Sequence, residues 1–182
     1  DHSQQTFFTE SFTDEIAHRA GKNPYQFRME MLQKHPRHRK VLEVAAEAAG
    51  YGQFLSEGHA LGISVQESFG SIVAEVAEVS MDLNNRPVVH KVTCAIDCGW
   101  AVNPDTVEAQ IESGIIFGLT AAMYGEIRIE NGHVATGNFP DYEMVRMATT
   151  PEIEVHIVES GEALGGLGEP ATPPIAAAVT NA

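Results

Sequence analysis

The chain is poor in cysteine, in basic residues and in long apolar runs. Only Cys94 and Cys98 occur in its 182 residues. Both lie in CAIDC, which reads as strand, and four residues of strand span roughly 13 Å, too far for a disulfide. They read instead as buried thiols on one face, and without nearby histidine they make no metal site. Lys and Arg number 11 against 25 Asp and Glu, a formal net charge of -14. Such a surface repels phosphate backbones and argues against nucleic-acid binding. The densest basic stretch, HPRHRK at 35–40, is too short to reverse this. No segment approaches the ~18 apolar residues of a membrane span, and no basic region followed by an apolar core marks a signal peptide. There is no G-x-S-x-G elbow, no G-x-G-x-x-G after a strand and no Walker loop. Mean hydropathy of -0.12 and a hydrophobic fraction of 43% fit a soluble globular protein.

What is present organises into a helical part, residues 1–55, and an α+β part, residues 56–182, joined near 50–60 as one continuous unit. Phe12, Ile16 and Arg19 follow helical spacing, with Gly21 as a stop. Asn23-Pro24 then supplies an N-cap and a first-turn proline, with Phe27, Met31 and Leu32 as that helix's apolar side. Pro36 opens a third helix, with Val41, Leu42, Ala45, Ala48 and Ala49 inward and Gly50 at its end. From Gly62 the period changes to two, and GISVQES, SIVAEVAEVSMDL and Pro87 to Asp97 read as strands. Asn103-Pro104 opens the clearest helix, running to about Met123. Gly114 and Gly118 lie four apart within it and permit close packing. Asn131-Gly132 marks a hairpin, Glu152 to Val158 reads as a strand, and the tail from Pro173 as a helix. Helices first, then strands and helices together, read as fold class α+β.

The segment GEALGGLGEPATPPIAAAVTNA, residues 161–182, carries the strongest chemical signal. Glu169 stands between Gly168 and Pro170, after glycines that allow close backbone approach or positive φ. Prolines then direct the exit path. A lone carboxylate on such a loop suits a general base beside a bound cofactor; it equally suits an ordinary turn with a solvated Glu. His35 and His38 form H-x-x-H, but no third ligand is evident, and the segment reads as the start of a solvated helix.

GLGEPATPPIA resembles the C-terminal active-site segment of the molybdenum hydroxylases, the xanthine dehydrogenase/aldehyde oxidase family. It is similar in particular to the molybdopterin-binding large subunit of the isoquinoline 1-oxidoreductase type. HSQQTFFTESFTDEIAHRAGKNPYQFRMEML, AIDCGWAVNPDTVEAQIESGIIFGLTAAMYGEI and NFPDYEMVRMATTPEIEVHIVES resemble further family segments, so the likeness covers nearly the whole chain in order.

The resemblance implies an α+β fold with a mixed sheet covered by helices, part of the family's molybdopterin-binding domain. It implies Glu169 as the base that deprotonates a hydroxyl on the metal, whose oxygen then adds to an electron-poor carbon while hydride leaves to a sulfido ligand. Partial burial of Glu169 would bring its pKa closer to working pH. Gln110 matches a residue that approaches the pterin, its alternative being a solvent-facing helix amide. Gly165, Gly166 and Gly168 would turn backbone N–H groups toward the cofactor, their alternative being loop flexibility. Glu67 and Ser68 match a strand end near the site, and Trp100 either lines a channel or caps a turn. The implied cofactor is molybdenum on molybdopterin, in its cytosine dinucleotide form for a bacterial protein of this type. The implied substrates are aldehydes or N-heterocycles, with water as oxygen source. The implied partners are the remainder of the large subunit and an iron–sulfur electron-transfer subunit. Family large subunits are several times longer, so the chain alone is expected to be catalytically silent, with little or no cofactor. The contrasting expectation is a cofactor-free assembly module that retains the fold and forms homo-oligomers.

Overall fold

The computed structural model describes residues 2–182. Helices α1 (His2–Arg19), α2 (Pro24–Met31) and α3 (Pro36–Ala48) come first, followed by strands β1 (His59–Ser68), β2 (Ser71–Met81) and β3 (Pro87–Asp97). Helix α4 (Pro104–Tyr124), the short strands β4 (Ile129–Glu130) and β5 (His133–Val134), strand β6 (Glu152–Ile157) and helix α5 (Pro174–Thr180) complete the order. The main sheet runs β1-β2-β3-β6. Its first two pairings are antiparallel and β6 lies parallel to β3. The mixed sheet covered by helices is therefore as the sequence implies.

Alternation along the strands gives the sheet two apolar faces. Val73, Ala77, Val92, Cys94 and Ile96 meet Val107, Ile111, Ile115 and Leu119 of α4 and Ile175 and Ala178 of α5. Ile63, Ile72, Ala74, Val76 and Ala95 meet Val41, Leu42, Ala45 and Ala46 of α3 on the other face. Ala46 is buried in α3, whereas Ala48, which the periodicity placed inward, is exposed. The inward face lies along 41, 42, 45 and 46, and position 48 has rotated past it. Both cysteines are buried and free.

Helix α1 departs from its hydrophobic spacing. Phe8, Phe12 and Ile16 are exposed, while Thr6, Glu10, Thr13, Asp14 and Ala17 are buried. The cause is Arg28, which α2 buries instead of Met31. Its Nε donates to Glu10 Oε2 at 2.9 Å, and its Nη1 to Asp14 Oδ1 at 2.7 Å. Glu10 Oε2 also accepts the Val65 N–H at 2.9 Å, which ties α1 to β1. A buried charge is tolerated only when paired in this way, and the pairing dictates which side of α1 faces inward.

The β1–β2 connection is a two-residue turn of Phe69 and Gly70, at φ 56 and φ 78. Both values fall in the left-handed region of a type I′ hairpin. A bulky aromatic residue at positive φ is an outlier.

Candidate functional site

Glu169 is carried by the segment between β6 and α5, which is anchored along its length. Val158 N–H donates to Ile96 O at 2.8 Å, and Gly161 N–H to Gly99 O at 3.2 Å. Gly165 N–H donates to Cys98 O at 3.0 Å, and Gly166 N–H to Phe69 O at 2.8 Å. Ser71 Oγ returns a bond to Gly166 O at 2.8 Å. The loop therefore lies across the C-terminal end of β3 and the β1–β2 turn. A Cβ on Gly165 would stand 2.2 Å from Ser71 Oγ, which only glycine avoids. None of Gly165, Gly166 and Gly168 takes a positive φ; Gly161 does, at φ 74.

Beyond Glu169 the chain is seated on α4. A Cβ on Gly118 would lie 2.4 Å from Thr172 O, and one on Gly114 would lie 3.2 Å from Ala171 Cβ. Thr172 Oγ1 donates to Gly114 O at 3.2 Å. The close packing that the two glycines permit is thus with the exit of the Glu loop.

Between these walls is an open cavity of about 360 Å³. Gly168, Glu169 and Thr172 line one side; Ser113, Gly114 and Phe117 of α4 another; His2 and Ser3 of α1 and the Phe69 side chain complete it. Glu169 is exposed rather than partly buried. Its carboxylate makes no hydrogen bond or ion pair among the described residues. Gln110 is exposed on α4, one turn before Ser113 and Gly114 and on the same side as Phe117. The Gly165 and Gly166 amides already donate to Cys98 and Phe69. A Cβ on Gly168 would meet nothing within 4 Å. A larger cavity, of about 600 Å³, lies between the β2–β3 turn and the last turn of α4, and no member of this set lines it.

The other sequence candidates lie around this centre. His38 Nε2 is 3.2 Å from Glu67 Oε2, and burial, foremost, draws the His38 pKa down against the opposing pull of Glu67. Ser68 Oγ is 3.1 Å from His2 Nδ1 beside the cavity. Trp100 is exposed, and its carbonyl lies 3.6 Å from Cys98 Sγ. Three participants escaped the sequence reading: Phe69, Asp97 and Arg37. Asp97 ends β3 and is 1% exposed. Its carboxylate accepts from Arg37 Nε at 2.7 Å, Ser160 Oγ at 2.7 Å and Gly99 N–H at 2.9 Å. Burial alone would raise this acid, but the three donors outweigh it and hold the pKa below the usual carboxylate value. An Asp at a strand end just before Cys98-Gly99 was the available signal. Its two side-chain partners, 60 residues before it and 63 after, were not visible from sequence.

Comparison with known proteins places this architecture. Residues 13–151 match the family model described as the molybdopterin cofactor-binding domain. The chain is 35% identical over 184 residues to the isoquinoline 1-oxidoreductase subunit beta of Brevundimonas diminuta, covering 99% of this chain and 24% of that protein. It is 31% identical over 193 residues to the membrane-bound aldehyde dehydrogenase [pyrroloquinoline-quinone] of Gluconacetobacter polyoxogenes, covering 95% of this chain and 25% of that protein. Among solved structures, quinoline 2-oxidoreductase from Pseudomonas putida 86 superposes with a TM-score of 0.58 at 26% identity, over 62% of this chain and 15% of that one. The chain thus spans about a quarter of the length of the two curated relatives. No helix among the described residues is long and apolar enough to cross a membrane.

Proposed function

The chain belongs to the molybdopterin cofactor-binding domain family of the molybdenum hydroxylase large subunits, and from that premise we propose that it supplies the base-bearing wall of a hydroxylase active site. The observation that carries this reading is Glu169: a carboxylate with no partner among the described residues, set in an open cavity by a loop anchored at both ends. The residues present fit one side of a pterin site. Gln110 and the Gly168 amide, which make no hydrogen bond among the described residues, would hold the cofactor, Gln110 as donor and acceptor at once. Gly165 and Gly166 serve by packing, since their amides are taken. When bound, molybdenum on molybdopterin, in its cytosine dinucleotide form, supplies a two-electron redox couple and a Lewis acid. Glu169 is the group that takes up the proton of the water-derived oxygen, which requires hydrogen-bond reach in the complete site.

The complete enzyme oxidises aldehydes or N-heterocycles, with water as the oxygen source. The remainder of a large subunit closes the cavity, and an iron–sulfur subunit carries the electrons away. The names of the relatives support both substrate classes: isoquinoline and quinoline on one side, aldehyde on the other. The test is molybdenum and pterin content, with turnover of both classes, in the complete enzyme carrying wild-type or Glu169→Gln chain. Retained molybdenum with lost turnover supports the assignment. Unchanged turnover in Glu169→Gln overturns it.

A second reading, a cofactor-free module that self-associates, draws on the exposed stripe of Phe8, Phe12 and Ile16 on α1. Absence of molybdenum from the complete assembly, together with a stable dimer of this chain, would favour it.

A further inference from the structure

We propose that Asp97 is a positioning residue for Glu169, holding the glycine loop against the end of β3 and thereby setting where the base stands over α4. The proposal rests on the reading of Glu169 given above, but its geometry is independent of the cofactor.

The three donors to Asp97 come from three separate pieces of chain. Arg37 belongs to the first turn of α3, Gly99 to the turn after β3, and Ser160 to the loop itself. The Gly99 bond matters because the loop binds to that turn. Gly161 N–H reaches Gly99 O and Gly165 N–H reaches Cys98 O. Gly99 sits at φ 82, and a Cβ there would meet Ala163 O at 2.4 Å and Glu162 O at 2.5 Å. Asp97 therefore fixes both the acceptors that receive the loop and, through Ser160, the loop's entry.

Arg37 gives the arrangement a rigid origin. A cation in the first turn of a helix opposes the helix dipole, so its place there depends on the facing carboxylate. The next residue, His38, pairs with Glu67 just before the Phe69 turn. Consecutive residues of one helical turn thus hold the two lips of the cavity: Arg37 the glycine loop through Asp97, His38 the β1–β2 turn. The lips are joined to each other by Gly166 and Phe69. Asp97 itself does not line the cavity, so it acts through Glu169 and not on a substrate.

The experiment is amide hydrogen exchange across residues 158–168 in this chain, for wild type, Asp97→Asn, Ser160→Ala and Arg37→Met, each first checked for an intact urea transition. Asp97→Asn sets an amide N–H against the Arg37 donor, whereas Ser160→Ala removes one bond without a new repulsion. The Gly161 and Gly165 amides should exchange about tenfold faster or more in Asp97→Asn, the change that loss of a charge-assisted hydrogen bond implies. Adding Arg37→Met to Asp97→Asn relieves the donor clash and should restore part of the protection. In the complete enzyme, Asp97→Asn should lower kcat with KM and molybdenum content unchanged, a split that general destabilisation does not produce. Wild-type exchange at Gly161 and Gly165 in both Asp97→Asn and Ser160→Ala overturns the proposal, whatever Glu169 does. Lost loop protection with full turnover in Glu169→Gln leaves the anchor in place and overturns the base assignment instead.

Discussion

Glu75 faces Cys94 across paired positions of β2 and β3, and both residues are fully buried. On its other side Glu75 is paired with Ser64 of β1. The Ser64 hydroxyl and both Glu75 carboxylate oxygens have no hydrogen-bond partner among the described residues. Burial pushes the Glu75 pKa well above its ordinary value, which favours the neutral acid in the folded chain. The unfolded chain gives up this proton above about pH 4.5, while the folded chain holds it to higher pH. Stability contributed by this site is therefore full below that pH and is lost as pH rises toward the folded-state value. Glu75→Met should flatten the stability–pH profile on the alkaline side and stabilise the fold there by about 1–3 kcal/mol, the cost of an unsatisfied buried polar group. Urea titrations from pH 5 to 9 check this. Equal slopes in the two proteins would count against a neutral Glu75.

Arg28 holds α1 in its inverted orientation. Arg28→Met leaves Glu10 and Asp14 buried without their cation and should cost about 3–5 kcal/mol. The triple variant Glu10→Gln, Asp14→Asn, Arg28→Met should recover much of that loss. Urea midpoints of the single and triple variants measure it; a triple variant no better than the single would show that charge compensation is not the cause.

Gly165 and Gly168 should respond oppositely to alanine. Gly165→Ala collides with the Ser71 hydroxyl and with the backbone of Gly70 and Ser71, so melting should fall by several degrees, as for a loss of about 1–2 kcal/mol. Gly168→Ala meets nothing within 4 Å and should leave melting unchanged. A lower molybdenum content in the complete enzyme carrying Gly168→Ala, at unchanged melting, would support a cofactor-facing amide there.

The exposed α1 stripe predicts association rather than instability. Phe8 is 68% and Phe12 61% exposed, so Phe8→Ser with Phe12→Ser should change monomer stability by less than about 0.5 kcal/mol per site. It should also lower any self-association seen by analytical ultracentrifugation. An unfolded double variant would show that these rings carry the core.

Much of the architecture follows from local pattern. Asn103-Pro104 caps α4 where the sequence places it, the Asn103 side chain accepting from Thr106 N–H. Strand β3 runs from Pro87 to Asp97 as read. The Asn131-Gly132 turn forms, although its strands are only two residues long. A turn signal specifies a reversal of the chain but not a partner that extends the pairing.

The sequence by itself determined the acidic, cysteine-poor character of the chain, the helix and strand order, and the glycine spacing that lets α4 accept the Glu169 segment. These are properties of neighbouring residues and of side-chain period. The tertiary structure alone decided that α1 turns its aromatic side outward, that Asp97 collects side-chain donors from two distant segments, and that the Gly165 and Gly166 amides are spent inside the protein. Each of those outcomes depends on pairing between groups far apart in the chain. A buried charge or donor takes whichever partner the assembled fold brings within reach, and no local periodicity encodes that choice.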